Sequence, residues 1–107
     1  MRIFHIATPD DWAQAQRAGG YTTSTRGRTL ADEGFLHAAF EHQWPLVQRR
    51  YYADVSTPLL LLEIETDRLT SPLVEEPPAP GVEETYPHIY GPLNIDAVVG
   101  VRELSSE

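Results

Sequence analysis

The sequence predicts one α+β domain spanning residues 1–107, with a mixed or antiparallel sheet and two main helices. Three observations lead there. Apolar residues make up 41% and charged residues 22%, ordinary usage for a globule of this length with one core. Short extended apolar segments are interspersed with two helical segments. No repeat or linker interrupts the series.

The elements follow in order. Arg2 to Ala7 reads as a strand, with Phe4 and Ile6 on one face and Ile3, His5 and Ala7 on the other. Both faces are largely apolar, which predicts a central position. Thr8-Pro9-Asp10-Asp11 is a helix start: a capping hydroxyl, a proline suited to the first turn, and two acids at the positive dipole end. That helix runs to about Arg17 and stops at Gly19-Gly20. Residues 21–29 read as a polar loop carrying Arg26 and Arg28, a candidate ligand loop. Thr29 caps a short turn, Leu30 to Glu33, closed by Gly34, and Phe35 to Ala38 is extended. Trp44, Val47 and Tyr51 keep helical spacing and predict a second helix over about 41–52, with Pro45 in its first turn. Leu59 to Ile64 is a buried strand, and Pro72 to Val74 a short one. Residues 75–85, rich in Pro, Glu and Gly, read as an exposed loop. Tyr86 to Tyr90 is extended and stopped by Gly91-Pro92, and a last strand lies around Val98 to Val101.

Composition excludes several chemistries. Without cysteine there is no disulfide, thiolate nucleophile or cysteine metal site, and without lysine no Schiff base. Net charge is −8, unevenly spread. Residues 1–53 hold six Arg against five acids, and residues 54–107 hold two against eleven. That balance argues against bulk nucleic-acid binding. No signal-peptide core is evident, and the longest apolar run, Leu59 to Leu62, cannot span a membrane. A cytoplasmic protein without a membrane partner is expected.

No strong catalytic motif is present, so attention falls on histidines in extended segments: His5, His37 and His88. A buried imidazole needs partners, which favours a shared cleft. In an extended 86–90 segment, Tyr86, His88 and Tyr90 share one face, a row able to stack a planar ring and bond its substituents. His37 and His88 are the natural acid–base pair for a small metabolite. A zinc or iron site of His5, His37, His88 and a glutamate would need all four to converge by folding, because no two histidines have ligand spacing; no metal site is expected. A non-catalytic ligand-binding module is the third reading.

Together, the opening Ile-Phe-His-Ile and capped Trp12 helix, then Glu33-Gly34-Phe35-Leu36-His37, then Tyr86-Pro87-His88-Ile89-Tyr90-Gly91-Pro92-Leu93 resemble domain-of-unknown-function family 952, in order and spacing over nearly the whole chain. The resemblance implies small bacterial proteins similar in fold to ADP-ribosyltransferases and NAD-using RNA 2′-phosphotransferases, with a split sheet and a cleft between its halves. His5, His37, His88 and Tyr90 match family positions. Ala38-Ala39 departs from the family's small residue and serine, and Phe40-Glu41 from its Thr-Pro helix start. Each departure removes an expected hydroxyl or helix cap.

The resemblance implies NAD or a related nucleotide as substrate, in an ADP-ribosyl- or phosphotransferase-like reaction. Breaking the nicotinamide–ribose bond needs a carboxylate against developing positive charge, an aromatic face and donors for the pyrophosphate. Glu84 (or Glu83) supplies the first in type and Tyr86 or Tyr90 the second. His5, Arg26 and Arg28 are candidates for the third. The site so assembled has His37, His88 and Glu84 as catalytic groups, with His5, Arg26, Arg28, Tyr86 and Tyr90 binding the ligand.

Overall fold

The computed structural model describes residues 1–104 and is an α+β globule in which every strand pairing among these residues is antiparallel. Its main sheet has the order β1-β6-β10, formed by Arg2–Ala7, Leu59–Glu65 and Val98–Leu104. A second sheet has the order β5-β8-β7, formed by Leu36–His37, Tyr86–Ile89 and Leu73–Glu76. Two ribbons complete it: β2 (Gly20–Tyr21) with β9 (Leu93–Asn94), and β3 (Thr23–Thr25) with β4 (Arg28–Thr29). The helices are α1 (Pro9–Ala18), the one-turn α2 (Leu30–Glu33) and α3 (Trp44–Tyr51).

The alternation along β6 builds two cores. Leu62 and Ile64 face a cluster with Ile3, Ala7, Trp12 and Tyr21, while Leu59 and Leu61 face one with Phe4, Ile6, Tyr52 and Leu104. Full burial of one such aliphatic side chain is worth about 1.5–3 kcal/mol, so strand pairing and core formation reinforce each other. β1 is an edge of its three-stranded sheet and not the central strand expected, although Ile3 to Ala7 are buried on both faces. Its outer side is occupied at one point: Phe4 N–H donates to Ala39 O at 2.7 Å, and Ala39 N–H to Phe4 O at 2.8 Å. Ala38 N–H in turn donates to Pro87 O at 3.1 Å. Residues 36–39 therefore splice the two sheets together and bring the first strand's histidine beside the second sheet's.

The helix punctuation behaves as its chemistry requires. The Thr8 hydroxyl accepts from Asp11 N–H at 3.1 Å, and Gly19 closes α1 with φ +84°, a conformation that favours glycine. Thr29 and Asp32 form a reciprocal capping box on α2.

Three further expectations are corrected. Residues 21–29 are not a loop. Tyr21 is buried in β2, and residues 23–29 form a hairpin turning at Arg26-Gly27, with Gly27 at φ +75°. The second helix starts at Trp44 rather than 41, because Phe40–Gln43 form a separate turn in which the Gln43 side chain accepts from Phe40 N–H at 2.9 Å. Glu75 and Glu76 belong to β7, paired with Pro87 and Tyr86, so the connecting loop begins at Pro77. The last strand also runs on to Leu104. No helix of the described residues is long and apolar enough to cross a membrane.

Candidate functional site

The splice between the sheets borders a cavity of about 400 Å³, within the range of small-molecule sites. His5, His37, Glu33, Tyr86 and Glu84 line it, together with Trp44, Arg50 and Tyr51 of α3.

His5 is 5% exposed and fully committed. Its Nδ1 lies against the His37 carbonyl oxygen, which can only accept, so Nδ1 carries the proton. Nε2 is then the acceptor, and the Tyr21 hydroxyl donates to it at 2.9 Å. Burial pushes the His5 pKa down to about 4, with the His37 carbonyl only partly opposing it. His5 is thus a neutral strut with both nitrogens in use, rather than a pyrophosphate donor.

His37 is aligned differently. Its Nε2 lies 3.1 Å from Glu33 Oε1, one helical turn earlier in sequence, and the other oxygen, Oε2, is 2.9 Å from Arg28. A carboxylate holding Nε2–H leaves Nδ1 as the basic nitrogen, and no described residue bonds to it. Capping of α2 by Thr29 fixes the turn from which Glu33 projects. Sequence fixes this arrangement locally: a capped turn, Glu33 at its end, glycine, then the strand.

Of Glu83 and Glu84, Glu84 lines the cavity. The buried Gln43 amide donates to Glu84 Oε2 and to the Thr85 carbonyl, each at 2.9 Å. This bond ties the half-exposed carboxylate to a buried side chain, and His42 Nε2 lies 4.0 Å from the same oxygen.

The remaining predicted residues lie elsewhere. His88 is opposite His37 in strand register, with ring centroids 5.2 Å apart at 83°. It is 1% exposed, lies flat against Phe35 at 4.0 Å, and its Nδ1 is 2.7 Å from Glu76 Oε2. The Tyr90 hydroxyl donates to the same oxygen, and these two bonds hold the Glu76 carboxyl below its ordinary pKa. Burial lowers the His88 pKa, with Glu76 opposing it. His88 and Tyr90 do not line the His5–His37 cavity; they adjoin it through His37 and Phe35. Arg26 is outside the cavity lining, and Asp54 takes its guanidinium bidentately at 2.6 and 2.8 Å. Arg28 reaches the site only by way of Glu33. The cation in the lining is Arg50.

Sequence reading missed Glu33, Arg50, Gln43 and the α3 aromatics. Glu33 had a signal, since it stands four residues before His37 beside a capped turn. Gln43 and Arg50 had none, because their orientation depends on where α3 docks. Among the described residues, no three His, Asp or Glu side chains converge as metal ligands would.

The fold is shared with protein CC0527 from Caulobacter crescentus. Its solved structure aligns at a TM-score of 0.82 with 25% identity, covering 100% of this chain and 89% of that one. A double mutant of the same protein aligns at 0.82 with 24% identity over the same shares. No curated protein matches. The model of the family described as protein of unknown function DUF952 matches residues 6–101, and the chain belongs to that family.

Proposed function

We propose that the His5–His37 cavity binds a ring-bearing nucleotide of the NAD class and carries out group transfer at its ribose. The observation that carries this reading is the Glu84 carboxylate, held by Gln43, sharing one cavity with aromatic side chains, an imidazole whose Nδ1 bonds to no described residue, and one arginine. As the nicotinamide–ribose bond breaks, its electron pair leaves with nicotinamide. Glu84 opposes the positive charge that develops on the sugar. The acceptor's oxygen bonds to the anomeric carbon, and its proton passes to His37 Nδ1, with Glu33 stabilising the imidazolium. Tyr86 and Tyr51 supply ring faces, and Arg50 the contact to a phosphate.

Calorimetric titration with NAD, ADP-ribose and nicotinamide tests this. The reading expects saturable binding of NAD and ADP-ribose, weakened in Arg50→Ala. Absence of binding by all three compounds would overturn it. A second reading is favoured by the two carboxylate-held imidazoles meeting at 5.2 Å: acid–base chemistry by His37 and His88 on a small metabolite, without a nucleotide. It expects the opposite titration result.

A further inference from the structure

The Glu33 carboxylate is gripped at both oxygens. Oε1 lies 3.1 Å from His37 Nε2, and Oε2 lies 2.9 Å from a guanidinium nitrogen of Arg28. Local structure presents these groups to one another. Arg28 stands on β4 directly before Thr29, which caps α2, and Glu33 is the last residue of that helix. The Thr29–Asp32 capping box fixes the turn, and Gly34, at φ +86°, redirects the chain into β5 and His37. Arg28 itself is outside the cavity lining, whereas Glu33 and His37 belong to it.

The bond to Glu33 decides which His37 nitrogen the cavity is offered. The ring packs against Phe35 at 4.8 Å and 71°, and against His88 at 5.2 Å and 83°. Such packing restricts the plane of an imidazole; the hydrogen bond made by one nitrogen settles where the proton sits. Glu33 keeps it on Nε2 and leaves the lone pair on Nδ1. A carboxylate held at one oxygen alone can pivot about its Cγ–Cδ bond, and the hydrogen bond then loses its alignment. A cation on the second oxygen removes that freedom.

We infer that Arg28 is a positioning residue for His37: by holding Glu33 Oε2 it keeps Oε1 aligned on Nε2–H, and so keeps Nδ1 as the basic nitrogen. The inference deepens the transfer reading and rests on it for the use made of Nδ1, but the alignment exists without any ligand. The role is orientation and not stability. Arg28 is 55% exposed, and ion pairs in that setting add little to stability.

Nitrogen NMR of the histidine-labelled, ligand-free chain tests the alignment, with His37 assigned by the signals lost in His37→Gln. At alkaline pH, where a free imidazole is neutral, the two ring nitrogen shifts report the ratio of Nε2–H to Nδ1–H tautomers. The inference expects that ratio to fall about tenfold in Arg28→Ala, the scale of one charge-assisted hydrogen bond. Arg28→Lys should restore it, because a single nitrogen–oxygen contact is within the reach of an ammonium. Nicotinamide release from NAD is the second readout. In Arg28→Ala the kcat should fall with KM unchanged, since Arg28 does not line the cavity. An unaltered tautomer ratio in Arg28→Ala would overturn the inference, whatever the wild type does with NAD. So would an Arg28→Lys chain that behaves like Arg28→Ala, or a rise in KM at constant kcat, which would make Arg28 a ligand contact. A wild-type chain that releases no nicotinamide overturns the transfer reading, and the tautomer ratio still decides the role of Arg28.

Discussion

Gln43 holds Glu84 at 2.9 Å through a side-chain amide that is itself buried, tethering an acid of the proline-rich loop beside the cavity that it lines. The same Gln43 amide also bonds Phe40 N–H and the Thr85 carbonyl, each at 2.9 Å. Replacing it with alanine strands these partners. We expect Gln43→Ala to lower stability by about 1–3 kcal/mol, measured by denaturant unfolding. It should also lower any transfer activity beyond the loss of folded protein, because Glu84 is released. A variant of normal stability would contradict the assignment of Gln43 as the anchor.

His5 predicts a pH dependence. Its folded pKa is about 4, against an ordinary value near 6.5. The unfolded chain therefore binds the extra proton between those values, and stability rises with pH across that window. The contribution is fully present above about pH 6.5 and is lost progressively toward pH 4; it is on the order of 3 kcal/mol. His88, also lowered by burial, acts in the same direction. His5→Gln removes the titration, so its stability profile should be flatter than wild type between pH 4 and 6.5. Parallel profiles would show that His5 is not the titrating group.

Arg26 should matter little. It is exposed and already paired bidentately with the exposed Asp54, and such pairs add little to stability. Arg26→Ala should leave the melting temperature and NAD affinity within error of wild type, whereas Arg50→Ala should weaken binding. The reverse order of effects would restore the 21–29 segment as the ligand loop.

Gly91 is expected to resist substitution. Its φ is +151°, and a Cβ there would run into the Ser71 hydroxyl, which donates to Pro92 O at 2.8 Å. Gly91→Ala should therefore destabilise by more than an exposed loop substitution does. Thermal melts of Gly91→Ala and Gly81→Ala, the latter with open space around its Cβ, separate the steric clash from the shared cost of positive φ.

Much of the fold is legible where local chemistry dominates. Thr8-Pro9-Asp10-Asp11 and Gly19 set α1, Thr29 and Gly34 set the α2 turn, and the continuous apolar run from Leu59 sets β6. What sequence could not supply depends on long-range placement. The Thr-rich 21–29 segment became a hairpin because the buried Ser24 donates to the Phe35 carbonyl, a contact with no local signature. The histidines are brought together as their extended apolar settings suggest, but their roles diverge with their neighbours. His5 is consumed by Tyr21 and the His37 carbonyl, His88 is covered by Phe35, and His37 keeps one nitrogen free of described partners.

The central claim is that Glu84 opposes positive charge on a ribose in the His37 cavity. Release of nicotinamide from NAD, compared between the wild-type chain and Glu84→Gln at matched NAD occupancy, tests it most directly. Glutamine keeps the shape and an oxygen for Gln43 while removing the charge. The account predicts that the variant binds NAD and melts like the wild type but releases nicotinamide at least about 100-fold more slowly, the scale of losing one electrostatic contact to a transition state. Equal release rates for the two proteins, or no release by the wild type, would contradict it.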